Sequence, residues 1–315
     1  MRPRPGGSQV LLPRLSDVRE GVIWPQPSQP DSSVLHEITD LQMGLTMRYP
    51  PTATSMSTSL SPLATHPVGN VLLGPSPQRS SVAPAPRPTA VILDLFGTLV
   101  AAPSVVERRA AAAQFAAILS VFPAVAESAL SDSWQARHDG QMASTTEVAV
   151  HLVTRCDASA ACVDGLEVLL ARLAHIRLQA DASLLRALEQ LRRGGTRLAV
   201  LSDASPDIAE AWSASNLAPH FDAVVFSCQA GAVKPDRLLF RAVLRNLGVD
   251  PQQALYCGDG GGDELVGAER AGMRAVRVER RGGPSGLAFG ETAWSGRAIP
   301  NVEALPTLLD RWGQR

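Results

Sequence analysis

Three apolar runs of this chain stop at residues that can do chemistry: VILDLFGTL at Asp94, LAVLSDAS at Ser202 and Asp203, and ALYCGDGGGDE at Asp259, with Asp263 and Glu264 just behind. Between the last two, GAVKPD supplies Lys234. A carboxylate at the end of a rigid strand is a weak nucleophile, but a divalent cation and a lysine let it approach a phosphoryl group whose charge would otherwise repel it. Asp94 is the nucleophile on this reading. Phosphoryl transfer asks mainly for positioning and charge stabilisation. Ser202, Lys234 and the backbone N–H groups of the turn Phe96, Gly97 and Thr98 are the expected donors to the phosphoryl oxygens. Mg²⁺ takes oxygen ligands and keeps several waters, and Asp94, the carbonyl of Phe96, Asp259 and Asp263 suffice to hold it. Taken singly, each residue has a plainer role: Ser202 or Asp203 capping the helix that starts near Ser205, Asp263 capping the next helix, Lys234 standing in solvent. Their order, all at strand ends, favours one shared crevice.

The elements that must bring them together are legible in the hydrophobic pattern. TAVILDLF is a continuous apolar run, suited to a parallel strand buried on both faces. Residues 103–179 are rich in Ala and Leu at helical spacing and show no strand signal, which predicts an all-helical insert of about four helices. From residue 180 strands and helices alternate with short connections: TRLAVLSDA, FDAVVFS, ALYCGD and RAVRVER as strands, with amphipathic helices between them. The predicted fold is α/β, a Rossmann-like doubly wound parallel sheet with right-handed crossovers, and its ligands bind outside the carboxyl ends of the strands. Residues 1–88, rich in Pro, Ser and Thr, read as a disordered extension ending in the stiff linker APAPRP. The core is assigned to 89–102 and 180–315, and residues 281–300 read as a long loop before a last helix near 301–312.

DLFGTL, VLSDAS, KPD and GDGGGDE resemble, in order, the four motifs of the haloacid dehalogenase (HAD) superfamily of hydrolases, and the helical insert 103–179 resembles the C1 cap of its type IA members. The likeness spans residues 89 to 280. It implies a covalent aspartyl intermediate on Asp94, a transferring group held by Ser202, a Lys234 that orients Asp94 and the ligand, and a metal on Asp259 with Asp263 or Glu264. Asp263 is the preferred of the two. Asp203, beside Ser202, joins the turn residues among the substrate contacts.

One position departs from the phosphatases of that superfamily, which usually place an Asp two residues after the nucleophile as general acid and base. Here it is Phe96, which neither gives nor takes a proton. Two enzymatic readings follow: a Mg²⁺-dependent phosphatase of a small phosphorylated metabolite, limited to good leaving groups or borrowing a proton donor from its cap, and a metal-independent 2-haloacid dehalogenase. The acids Asp259, Asp263 and Glu264 favour the first, since together they repel a carboxylate substrate unless a cation sits among them. A third reading is a catalytically impaired HAD-fold binding module. Within the insert, SWQARHDG presents the best polar cluster: Arg137 as a clamp for an anionic tail and His138 as the substitute proton donor.

Bulk properties narrow the partners. The 315 residues carry 29 basic and 30 acidic side chains, a formal charge of −1, so no global field draws the chain to nucleic acid or to an anionic membrane. No apolar run reaches the roughly 18 residues of a membrane span, and the amino terminus lacks the apolar stretch of a secretory signal. The four cysteines are scattered without CxxC pairing, as buried thiols in a reducing cytoplasm would be. The glycines of GDGGGD lack the GxGxxG spacing of a dinucleotide site. Oligomeric state leaves no trace in the sequence.

Overall fold

The protein is described here from a computed structural model, in which residues 86–279 and 293–312 are described. All of them lie in one compact unit, residues 78–315. The extension expected over residues 1–88 falls almost wholly outside the described residues, as does much of the loop expected after residue 280.

β1 (Ala90–Leu93) is followed by five helices: α1 (Val105–Leu119), α2 (Pro123–Asp132), α3 (Trp134–His138), α4 (Thr145–Arg155) and α5 (Val163–Arg177). The chain then alternates through α6 (Ala182–Arg193), β2 (Arg197–Ser202), α7 (Pro206–Ala211), β3 (Ala223–Phe226), α8 (Ser227–Ala230), α9 (Arg237–Leu247), β4 (Ala254–Gly258), α10 (Glu264–Arg270) and β5 (Arg274–Val278). It closes with β6 (Ala298–Ile299) and α11 (Leu305–Asp310). The strands form one parallel sheet in the order β3-β2-β1-β4-β5-β6. β1 is central, and its alternate residues feed the two faces: Val91 and Leu93 pack in a cluster with α6 and α11, Ala90 and Ile92 in one with α9. This two-sided burial is why its sequence is apolar without alternation.

Two elements differ from the sequence expectation. The insert holds five helices where the sequence predicts about four, because the stretch VAESALSDSWQARH breaks at Ser133, which ends α2 and starts α3 with its hydroxyl bonded back to the Ala129 carbonyl. β6 lies where the sequence predicts loop: two residues pairing with β5 through Arg277 and Val278 carry no local pattern. The insert helices bury their own apolar cluster, with Phe115, Leu152 and Leu166 at its heart. Against the sheet they are fastened at two seams. At one, Thr145, the first residue of α4, donates through its N–H (3.0 Å) and its hydroxyl (2.6 Å) to the Glu210 carboxylate on α7. At the other, Gly140, with φ of 85°, comes so close to Gly231 that a Cβ would stand 2.9 Å from its Cα. Only glycine tolerates both the conformation and the approach.

Candidate active site

Asp94 lies one residue past the end of β1 and is 4% exposed. Its N–H donates to the Cys257 carbonyl at 2.9 Å, extending the pairing with β4 and bringing the two strand ends side by side. The next residues fold back on themselves: Gly97 N–H donates to Val100 O (2.7 Å), and the N–H groups of Leu99 and Val100 both donate to Leu95 O (2.9 Å each). A φ of 90° explains the glycine at position 97. The turn places Thr98 so that its hydroxyl donates to Asp94 Oδ2 at 3.1 Å. Phe96 packs on the sheet cluster and lines the cavity.

Lys234 reaches the same point from the loop before α9. Its Nζ donates to Asp94 Oδ1 and to Glu264 Oε2, each at 2.6 Å. The loop is held by its own N–H, which donates to Asp203 Oδ1 at 2.9 Å. Asp203, expected among the substrate contacts, thus spends one oxygen on positioning Lys234, although it also lines the cavity.

The acids of the fourth stretch are placed by its glycines. Gly260 and Gly262 take left-handed conformations (φ 101° and 64°), which fold the loop over so that Gly261 N–H donates to Asp259 Oδ1 (2.8 Å) and Gly260 N–H to Glu264 Oε1 (2.9 Å). Tyr256 on β4 donates its hydroxyl to Glu264 Oε2 at 2.7 Å. A Cβ at Gly258 would overlap the Glu264 carboxylate, so glycine is what leaves room for it. Ser202 closes β2 and lines the same cavity, which encloses about 880 Å³, a volume suited to a small metabolite.

Oxygens of Asp94, Asp259 and Glu264 lie within 4.8 Å of one another. Of the two acids open as the second ligand, Glu264 joins this group and Asp263, the preferred one, contributes no oxygen to it. Asp263 sits in a left-handed conformation (φ 52°) at the turn into α10, while Glu264 begins the helix and its longer side chain reaches back under Lys234. The balance of charge is unfavourable as it stands. Burial first, then the charge of Glu264, pushes the Asp94 carboxyl up to about 8, against the pull of Lys234 and with a further push from Asp259. Burial opposes charge on Lys234, yet Asp94 and Glu264 outweigh it and raise its pKa well above normal. Three buried carboxyl groups crowd around one lysine, and their mutual repulsion disfavours a full set of charges there. Hard oxygen donors with surplus negative charge are what a divalent cation such as Mg²⁺ requires, so the residues present fit one.

The helices of the insert complete the cavity wall with Trp134, Arg137, His138 and Arg177. Arg137 donates from Nε to Ser133 Oγ (3.1 Å) and from Nη2 to the Leu130 carbonyl (2.7 Å). His138 corrects a second expectation. Its Nδ1 is 2.7 Å from the Trp134 carbonyl and its ring stacks on the indole at 4.4 Å. Burial, then the charge of Arg137, lowers its pKa to about 3, so the imidazole is neutral at neutral pH and holds no acidic proton to give a leaving group. Tyr256, Asp207 and Arg177 were not found by sequence reasoning. Tyr256 looks like any apolar strand residue, and the other two are ordinary polar positions of their helices until the fold turns them inward.

A haloacid dehalogenase-like hydrolase family model matches residues 88–272, and the chain belongs to that family of hydrolases. Among characterised relatives, a phosphoserine phosphatase of Thermus thermophilus is 42% identical over 94 residues, 30% of this chain and 38% of that protein. The chain thus spans well under half the length of this curated relative. Among solved structures, a 2-haloacid dehalogenase from Pseudomonas syringae pv. Tomato superposes with a TM-score of 0.53 at 24% identity, covering 71% of this chain and 99% of that one. A HAD phosphatase from Thermococcus onnurineus gives 0.51 at 21%, covering 70% and 97%. These two likenesses show the fold.

Proposed function

We propose that this hydrolase is a Mg²⁺-dependent phosphatase of a small phosphorylated metabolite, with residues 103–179 acting as the cap that closes its site. The observation that carries the reading is the surplus of buried carboxyl groups around Asp94: oxygens of Asp259 and Glu264 lie within 4.8 Å of its own, and Lys234 bridges Asp94 and Glu264. A haloacid dehalogenase has no use for that surplus, which would repel a carboxylate substrate. The phosphatase relative supports the same choice.

In the proposed reaction a carboxylate oxygen of Asp94 forms a bond to phosphorus as the bond from phosphorus to the ester oxygen breaks. Lys234 and the Thr98 hydroxyl hold the two Asp94 oxygens in place. Ser202 Oγ and the N–H groups of Phe96 and Thr98 donate to the phosphoryl oxygens as charge shifts among them, the Gly97 N–H being held by the Val100 carbonyl. Asp94, the Phe96 carbonyl and Asp259, with Glu264 in place of Asp263, would hold the metal. When bound, the cation offsets the repulsion between carboxylate and phosphoryl group. Water then attacks the acyl phosphate, releasing inorganic phosphate and restoring Asp94. Phe96 gives the departing alkoxide no proton, and His138 is too weak a base to carry one, so good leaving groups are favoured.

The test is phosphate release across a panel of esters with and without Mg²⁺. Aryl phosphates should turn over faster than alkyl phosphates, only with the cation, and Asp94→Asn should lower kcat by more than about 10³-fold. Halide release from 2-haloacids without metal would replace this reading by the dehalogenase one.

A further inference from the structure

Arg177 is the last residue of α5 and lines the cavity that holds Asp94. Among the described residues its guanidinium makes neither a hydrogen bond nor an ion pair. Burial costs it some of its affinity for the proton, and the nearest acids that favour its charge are Asp207 and Glu107. Neither is available to it. Asp207 is 3% exposed and accepts the Ser205 hydroxyl at 2.5 Å, while Glu107 is turned to its own helix cap, accepting the Ser104 N–H at 2.7 Å. A second guanidinium, Arg137, is close enough for Arg177 to weaken its charge, and it too lacks an ion pair among the described residues.

Two guanidinium groups share the buried Asp207 carboxylate in this part of the wall; burial weakens the charge of each and Arg177 weakens that of Arg137, although Glu127 and Asp132 also line the cavity. The strand ends of the same cavity are negative. Like charges brought together in a partly buried wall are costly, and the cost disappears when an anion lies between them, because the planar forks of two arginines suit a carboxylate or a phosphate. The reacting phosphoryl group does not meet this need, since its own place is at Asp94.

We propose that Arg177, together with Arg137, binds a second anionic group of the substrate, so that the enzyme acts on phosphomonoesters that carry a carboxylate or another phosphate away from the reacting end. This rests on the phosphatase reading above and names its substrate class. Arg177 is the specificity residue.

Non-hydrolysable phosphonates separate recognition from turnover. In isothermal titration with Mg²⁺ present, 3-phosphonopropionate should bind the full-length protein at least tenfold more tightly than the uncharged 3-phosphonopropionamide. Arg177→Gln should shrink that ratio below threefold, and Arg177→Lys should keep part of it. A propane-1,3-bisphosphonate arm tells the two anions apart: a larger ratio over the amide than the carboxylate gives makes the second group a phosphate. Equal affinity of the wild-type protein for acid, bisphosphonate and amide overturns the proposal and needs no variant to fold, as does a ratio that Arg177→Gln leaves intact. If the ratio holds while no phosphate ester turns over, the phosphatase reading fails and the anion site stands. If esters turn over and the ratio is absent, only the anion site fails.

Discussion

His138 shows how burial overrides residue type. An imidazole in a cavity wall invites a role in proton transfer, but this one is enclosed, stacked on Trp134 and bonded to a carbonyl. Its pKa of about 3 lies below the ordinary 6.5, so the folded protein keeps it neutral where the unfolded chain would protonate it. The stabilising contribution is therefore fully present above about pH 6.5 and is lost as pH falls toward 3. Comparing wild type with His138→Phe by denaturant titration at pH 6.5 and 4.5, the wild type should lose about 2 kcal/mol more than the variant. Equal losses would mean the imidazole is protonated in the fold. Phe96 is the complementary case: a side chain whose chemistry is plain from its type, and whose aromatic ring the fold uses for packing.

At the level of elements, the site depends on how the helical insert is tied to the sheet. α4 is capped twice, by Ser144 within its own segment and by Glu210 from α7, whose carboxylate takes both the N–H and the hydroxyl of Thr145. A charged acceptor at a helix start is favoured by the exposed N–H groups and the helix dipole, and hydrogen bonds to a charged group contribute roughly 1.5–3 kcal/mol. Glu210→Ala should release the first turn of α4 without unfolding the sheet. Hydrogen exchange followed by mass spectrometry should then show the amides of Thr145 to Val148 exchanging about tenfold faster, with β1 and β4 unchanged. If β1 loosens equally, the insert and the sheet open as one unit and the seam does not act as a separate tie.

For the molecule as a whole, the cavity gathers the Asp94, Asp259 and Glu264 carboxyl groups at the strand ends and Arg137 and Arg177 on the insert side, inside a chain whose formal charge is only −1. A cation bound to the native state alone stabilises it by mass action, about 2.7 kcal/mol at a hundredfold excess over Kd. For a folded unit of this size each kcal/mol moves Tm by roughly 2–4 °C. Millimolar Mg²⁺ should thus raise Tm by about 5 °C over K⁺ at equal ionic strength, and Asp259→Asn should remove most of the difference. A rise that survives in Asp259→Asn would come from the ion acting elsewhere.

The parallel sheet, the crevice and most of its side chains could be anticipated from the chain, because a buried parallel strand must be apolar along its length and several polar residues standing in order at such strand ends favour one shared crevice. Asp94, Ser202 and Asp259 announce themselves in that way, and Lys234 by its place between them in the order of motifs. The choice of Glu264 over Asp263 could not be anticipated: both are acids one position apart, and the left-handed turns at Gly260 and Gly262 decide which side chain points back under Lys234. Nor could the fate of His138 or the solitude of Arg177, since whether a polar group finds a partner depends on atoms brought near from other parts of the chain. Local sequence carries the periodicity that builds elements. Pairing of charges and loss of water are properties of the packed whole.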